Sequence, residues 1–228
     1  MNRVFVTGDC HGSVIKLIDF IQKYNLKDDG IIVLGDMGLF WRDDQEDAKF
    51  NIDLYEKNCN GVHLYWLDGN HENFDIINSW NCDRRQMFNN SEHIHYCPRG
   101  FSGFIGNKSV LFIGGADSVD KAIRKIRHLG WWEAEVITDK NVEEVPYGAY
   151  YDYVFSHCCP YSEVQHAKHW LFTLSNITES NAIHLSEKQL DKVKEKIDFG
   201  HWYFGHYHVE KQISDKFTCL FNDFIELE

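Results

Sequence analysis

Five short segments each follow a hydrophobic run with side chains able to bind a metal ion. They are Gly8-Asp9-Cys10-His11-Gly12, Gly35-Asp36-Met37-Gly38, Gly69-Asn70-His71-Glu72, Ser156-His157 and Gly205-His206-Tyr207-His208. Carboxylates, an amide oxygen and neutral imidazoles suit Mn, Fe, Zn or a similar first-row ion better than an all-oxygen calcium cage. Asp9 and His11 are two residues apart, as are His206 and His208. In extended backbone that spacing turns both members of a pair to one face. Asp36, between the two groups, is placed to supply a carboxylate that bridges two ions. Glycine beside most of these side chains permits tight turns and close backbone approach.

Positioning these groups requires strands that end together. Val4-Phe5-Val6, Ile31 to Leu34, Val62 to Leu67, Val110 to Ile113, Tyr151 to Phe155 and Trp202-Tyr203-Phe204 all read as strands, and most run directly into one of the segments above. Phe217 to Phe221 and Phe224 to Leu227 predict one or two more. Successive strand ends converge on one edge of a sheet, where open α/β folds bind ligands. Helical patterns lie between the strands. Val14, Leu17, Ile18 and Ile21 mark one helix face, with Ser13 placed to cap it. An acidic start opens a helix over 43–58. Ser186 and Gln189 form a capping box for a helix running to about Asp198. Strands alternating with helices, then a strand-rich end, predict an α/β protein with mixed sheets in one domain spanning 1–228. The irregular stretch at about 117–147 is expected to be an insertion or cap.

Hydrophobic residues make up 43% of the 228 residues, and the formal charge is -12. That charge argues against a broad basic footprint for double-stranded nucleic acid, although carboxylates that bind cations are counted in it. No apolar run approaches membrane-spanning length and the chain does not open on a charged segment followed by an apolar one, so a cytoplasmic protein without a membrane partner is expected. The 7 cysteines (10, 59, 82, 97, 158, 159 and 219) include no CxxC pair and are expected as reduced thiols.

The ordered set of motifs resembles the calcineurin-like metallophosphoesterases, whose pattern is GDxH, GDxx, GNH(D/E), a single His after a strand, and GHxH. The resemblance runs from Gly8 to His208, and the stretch from Trp66 to Asn78 is similar to small bacterial and phage-type members. It implies a four-layer α/β/β/α sandwich with two mixed β-sheets. It implies one divalent ion on Asp9, His11, Asp36 and His208 and a second on Asp36, Asn70, His157 and His206, with Asp36 shared. Manganese is the expected ion, with Fe, Zn, Ni or Mg as alternatives. His71 is implied to be a catalytic acid near the leaving group, oriented by Glu72 or Asp68. The implied reaction is hydrolysis of a phosphate ester by metal-activated water, with Asp36 and His71 as its catalytic residues.

One departure narrows the reading. The protein phosphatase branch carries GDxxDRG, whereas Gly35-Asp36 here is followed by Met37-Gly38-Leu39-Phe40-Trp41-Arg42, with no DRG. A monoester dianion usually recruits more positive charge than a diester. The missing arginine therefore favours a phosphodiesterase acting on a nucleotide or single-stranded nucleic acid. The alternatives are a phosphomonoesterase acting on a small molecule or phosphoprotein, and a non-catalytic metal-binding scaffold. Arg42, Arg99, Arg124 and Arg127 are candidate substrate contacts. Trp131-Trp132 beside Arg124 and Arg127 reads either as a substrate platform or as the hydrophobic anchor of an amphipathic cap helix. His63, His93, His95, His128, His166, His169, His184 and His201 have no motif context and are expected in packing or at the surface. His157 is preferred over His184 and His201 because it directly follows Tyr153-Val154-Phe155.

Overall fold

The computed structural model describes residues 2–39, 45–79, 91–174 and 184–228. The chain alternates strands and helices: β1 (Val4–Thr7), α1 (Val14–Lys23), β2 (Gly30–Val33), α2 (Gln45–Asn58), β3 (His63–Trp66), α3 (Phe74–Ser79), β4 (Ile94–Tyr96), β5 (Phe101–Ile105) and β6 (Lys108–Ile113). There follow α4 (Lys121–Arg127), a 3-10 turn at Glu133–Glu135, α5 (Asp139–Glu143), β7 (Tyr150–Ser156), α6 (Tyr161–Leu174), α7 (Leu185–Lys196), β8 (Asp198–Phe204), β9 (Lys211–Ser214), β10 (Phe217–Cys219) and β11 (Phe224–Glu226).

The strands form two sheets, in the orders β11-β1-β2-β3-β4 and β5-β6-β7-β8-β10-β9. Both are mixed: β1 through β4 run parallel with β11 antiparallel, and β6, β7, β8 and β10 run parallel with β5 and β9 antiparallel. Alternation along each strand sorts side chains into layers. Phe5, Ile31, Val33, Leu64 and Trp66 face out against α1 and α2. Val6, Ile32 and Leu34 face in, against Val110, Phe112, Phe155 and Tyr203 of the second sheet. Leu111, Ile113, Val154, Trp202 and Phe204 face out again, against Val142, Val164, Leu190 and Val193 of α5, α6 and α7. The result is the α/β/β/α sandwich with two mixed sheets.

Several local expectations shift. Val14, Leu17, Ile18 and Ile21 are the buried face of α1, but Ser13 at its N-cap makes no side-chain capping bond. The capping box on Ser186 does not form, because α7 starts two residues earlier with His184 at the N-cap. Ser186 instead accepts a hydrogen bond from the Ile137 N–H at 3.1 Å. That helix ends at Lys196, and Asp198 already belongs to β8. The C-terminal strands part company: β10 joins the second sheet while β11 pairs with β1 in the first. Among the described residues, the six cysteines are free and buried, and no helix is long and apolar enough to cross a membrane.

Candidate metal centre

The metal-competent segments leave the C-terminal ends of β1, β2, β3, β7 and β8. Because β1 and β2 are parallel and in register, with Thr7 opposite Val33, the loops carrying Asp9 and Asp36 emerge side by side. They are then tied together: the N–H groups of Cys10 and His11 both donate to the Asp36 carbonyl, at 3.1 and 2.8 Å. In the second sheet β7 and β8 are parallel with Ser156 opposite Phe204, and the Gly205 N–H donates to the His157 carbonyl at 2.9 Å. His157 joins the two sheets, since its Nδ1 meets the Leu34 carbonyl at 2.6 Å. Contacts this close leave no room for a side chain at two glycines. A Cβ on Gly35, where φ is +88°, would strike the His157 ring, and one on Gly69 would strike both the Asp36 carboxylate and His157.

Two donor groups result. In the outer one, Asp9 Oδ2 lies 3.1 Å from His208 Nε2 and 3.6 Å from His11 Nε2. The two Nε2 atoms are 3.1 Å apart. In the inner group, His157 Nε2 lies 3.3 Å from Asp36 Oδ2 and 3.3 Å from Asn70 Oδ1. The His206 ring centre is 5.0 Å from that of His157, and its backbone N–H donates to Asp9 Oδ1 at 3.1 Å. His184 and His201 are engaged elsewhere, with Glu187 and with Thr218. The ligand atoms of Asp9, His11 and His208, and those of Asp9, Asp36 and His157, each lie within 4.8 Å of one another.

These donors fit divalent cations. Asp9 Oδ2 is buried and accepts no hydrogen bond, an arrangement that costs about 1–3 kcal/mol or more unless a partner is supplied. Facing imidazole nitrogens with a carboxylate oxygen between them also match a borderline ion better than a proton. Charge is correspondingly concentrated. Burial would raise Asp9 and Asp36, yet the positive His157 leads a set of histidine contacts that holds both carboxyls low. Burial would lower His157, but Asp36 and Asp9 outweigh it and raise the imidazole to about 10. His206, pressed by burial and then by His157, falls to about 3.

The extended backbone expected for the paired motifs is not what brings their side chains together. His11, Asp36, His206 and His208 have φ of +49°, +45°, +68° and +54°. Left-handed backbone at non-glycine residues carries strain of order ~1–3 kcal/mol each and persists only where the surroundings impose it. Tight turns, not strand pleats, aim these side chains.

His71 lines a cleft of about 750 Å³ beside the outer group, together with His11, Asp120, Arg124, Leu129 and Trp132. Its backbone N–H donates to Asp36 Oδ1 at 2.8 Å, and its Nε2 lies 3.9 Å from Asp36 Oδ2. Burial lowers its pKa, opposed by Asp36 and reinforced by the Arg124 charge. The two carboxylates expected to orient it have other attachments. Glu72 accepts from the Gly69 and Gly38 N–H groups at 2.7 and 3.5 Å, and Asp68 accepts from Tyr96 and Arg99 at 2.7 and 2.8 Å.

The arginines separate sharply. Arg124 is buried against the site, with Nη1 donating to the Asn70 carbonyl at 3.0 Å. Arg99 spends its guanidinium on Asp68 and on the carbonyls of Ala134, Glu135 and Val136. Arg127 is exposed on α4, and Arg42 lies outside the described residues. Trp131 donates to Glu135 and Trp132 to Asp75. Sequence reasoning missed Ser118, whose hydroxyl meets the Asn70 amide at 3.3 Å, and Lys16, whose Nζ donates to the Asp9 carbonyl at 3.1 Å. No spacing rule marks either residue.

A comparison with curated proteins returns no match. The family model described as calcineurin-like phosphoesterase matches residues 2–210. With that match covering nearly the whole chain and metal-competent groups at its strand ends, the protein belongs to the calcineurin-like phosphoesterases and is a metal-dependent phosphoester hydrolase.

Proposed function

We propose that this enzyme is a dinuclear phosphodiesterase acting on a nucleotide or single-stranded nucleic acid, with manganese as its working ion. One ion is held by Asp9, His11, Asp36 and His208, and the second by Asp36, Asn70, His157 and His206. The two adjoining donor groups, linked through the buried carboxylates of Asp9 and Asp36, carry the dinuclear part of this reading. Divalent ions held there supply Lewis acidity toward a phosphoryl oxygen and lower the pKa of water to near neutrality.

The chain's own groups do the rest. Asp36 keeps its carboxylate ionised, with Oδ1 fixed by the His71 N–H and Oδ2 turned to His157. His71 Nδ1 is sealed from solvent, which leaves Nε2 to give a proton to the leaving oxygen. The stretch at about 117–147 forms part of the single domain as a wall of the cleft, through Asp120, Arg124 and Trp132.

The diester preference rests on charge and room. Among the described residues lining the cleft there is one arginine and no lysine, set against Asp47 and Asp120. That balance suits a monoanionic diester better than a dianion. A volume of about 750 Å³ also exceeds what a phosphoryl group needs and leaves space for a substituent on each side. The monoester reading has one observation in its favour, the buried Arg124 Nη2 with no hydrogen-bond partner. Turnover of bis-p-nitrophenyl phosphate against p-nitrophenyl phosphate with Mn separates the two. The diester is expected to win in kcat/KM by about tenfold or more, a difference of ~1.4 kcal/mol in barrier. A faster monoester reverses the assignment.

A further inference from the structure

Asn70 differs from the carboxylates among the proposed ligands in that its two ends are chemically opposite. A carboxylate presents two equivalent oxygens, whereas a primary amide offers an acceptor at Oδ1 and only donors at Nδ2. If the amide rotates by half a turn, it presents N–H groups to a cation. Something must therefore hold it oxygen-first.

The residues between β6 and the 3-10 turn supply that hold. The Ser118 hydroxyl donates to Glu135 Oε2 at 2.8 Å. Glu135 Oε1 accepts from the Ser118 backbone N–H at 2.8 Å and from the Trp131 indole N–H at 2.9 Å. Both of those partners can only donate, which fixes Oε1 as an acceptor, and with Glu135 ionised Oε2 accepts as well. The single hydroxyl proton of Ser118 is then committed to Glu135, and what its oxygen offers elsewhere is lone pairs. Arg124 Nη1 takes one at 2.8 Å, and Asn70 Nδ2 takes the other at 3.3 Å. Only the NH₂ end of the amide can face that oxygen. The reversed amide would set two acceptors against each other. With Nδ2 spoken for, Oδ1 faces the inner group, 3.3 Å from His157 Nε2. Arg124 also fixes the backbone here by donating to the Asn70 carbonyl at 3.0 Å. Ser118, Arg124 and Glu135 are 1%, 2% and 1% exposed, so water does not stand in for any of them.

We infer that Ser118 and Glu135 are positioning residues which, with Arg124, lock the Asn70 amide with its oxygen toward the second ion. This rests on the reading of Asn70 as a ligand to that ion. It makes the segment following β6 part of the metal centre, and it links the cleft wall formed by α4 to the occupancy of one ion and not the other.

The test is a calorimetric titration of the metal-free full-length protein with Mn, followed by the electron paramagnetic resonance signal of a coupled Mn pair at two equivalents. Ser118→Ala is expected to keep the first binding event unchanged. It should weaken the second by about 10–100-fold, the range typical of groups that orient a ligand, and lose the coupled-pair signal. Glu135→Gln is the second variant. Its amide can donate to Ser118, freeing the hydroxyl proton to point at Asn70 and removing the bias against the reversed amide. It conserves shape, so it tests the lock even if Ser118→Ala does not fold, and the same selective loss is expected. A variant that folds and binds both ions as tightly as wild type, or that weakens both equally, overturns the lock. A different result defeats the underlying site: wild-type protein that takes up no second ion, or Asn70→Ala that takes it up normally.

Discussion

The two donor groups differ in how they are built. In the inner group the side chains of Asp36 and His157 are 2% and 0% exposed, whereas in the outer group those of His11 and His208 are 28% and 39% exposed. Three inner side chains are fixed by protein on their far sides: His157 by the Leu34 carbonyl, Asp36 by the His71 N–H, Asn70 by Ser118. The outer histidines are aimed by left-handed turns, and His208 rests on the Phe221 ring with centroids 4.4 Å apart. An ion in the inner group would meet a preformed cage. One in the outer group would meet side chains that solvent also reaches, and it is the ion expected to exchange more readily.

The largest effect is expected where the groups meet. Asp36→Asn removes the carboxylate proposed to be shared and strips His157 of its nearest counter-charge. Turnover should fall by about a hundredfold to a thousandfold, the scale of losing one principal electrostatic contact in an active site. Metal content by mass spectrometry should fall below two ions per chain. Full occupancy together with full turnover would remove Asp36 from the bridging role.

Next comes a contrast between two histidines. His157→Ala leaves the Leu34 carbonyl buried and unpaired, which costs about 1–3 kcal/mol, and opens a space that solvent does not reach. His208→Ala removes a proposed ligand from the solvent-exposed side and leaves the core untouched. Both should lose most turnover, but added imidazole should restore the His208→Ala enzyme and not the His157→Ala enzyme. The metal-free melting temperature should fall only for His157→Ala. Equal rescue of both would erase the distinction between a sealed and an open half.

A smaller effect is expected in the pH dependence of the metal-free protein. His157 is raised from 6.5 to about 10, so the stability it contributes is fully present below about 6.5 and is lost as pH rises through about 10. His206 is depressed to about 3, so its contribution is present above about 6.5 and is lost as pH falls toward 3. Asp9 and Asp36, both lowered, act in the same acid direction below their ordinary 3.8. The urea midpoint in the presence of a chelator should therefore peak near neutrality and decline on both sides. If His157 is a ligand as proposed, bound metal displaces its proton, and the alkaline decline should shrink when ions are added. An alkaline limb unchanged by metal would place His157 outside the ligand set.

How much of this was readable in advance follows from the range over which each feature is determined. The layers were legible because alternation is local: Ile31 and Val33 face one way, Ile32 and Leu34 the other. The motif residues were legible because glycine and metal-competent side chain are adjacent in the chain. Edge strands such as β5, whose Phe101, Ser102 and Phe104 are exposed, carried no such alternation and went unseen. Ser118 was illegible because its role depends on a residue 48 positions away. Arg99 looked like a free cation, since nothing near it in sequence reveals that Asp68 and three carbonyls consume its donors. The two-residue spacing of Asp9-His11 and His206-His208 predicted proximity for the wrong reason. Positive φ at His11, His206 and His208, not pleating, brings the rings inward.

The smallest effect concerns α4, which repeats the inner and outer contrast within one helix. Arg124 is buried against Asn70 and Ser118, while Arg127 is exposed on the same helix. A small diester fills only the centre of the cleft and does not need Arg127, so Arg127→Ala should hydrolyse bis-p-nitrophenyl phosphate at the wild-type rate. Stability should shift by no more than about 0.5 kcal/mol, as for most exposed substitutions. If the substrate is a single strand that extends past α4, Arg127 meets a phosphate there and binding releases a counterion. The slope of log affinity against log salt for an inactive enzyme and a single-stranded oligonucleotide should then drop by about 0.7 in the Arg127→Ala variant. An unchanged slope would confine substrate recognition to the buried side of α4 and favour a mononucleotide-sized substrate over a polymer.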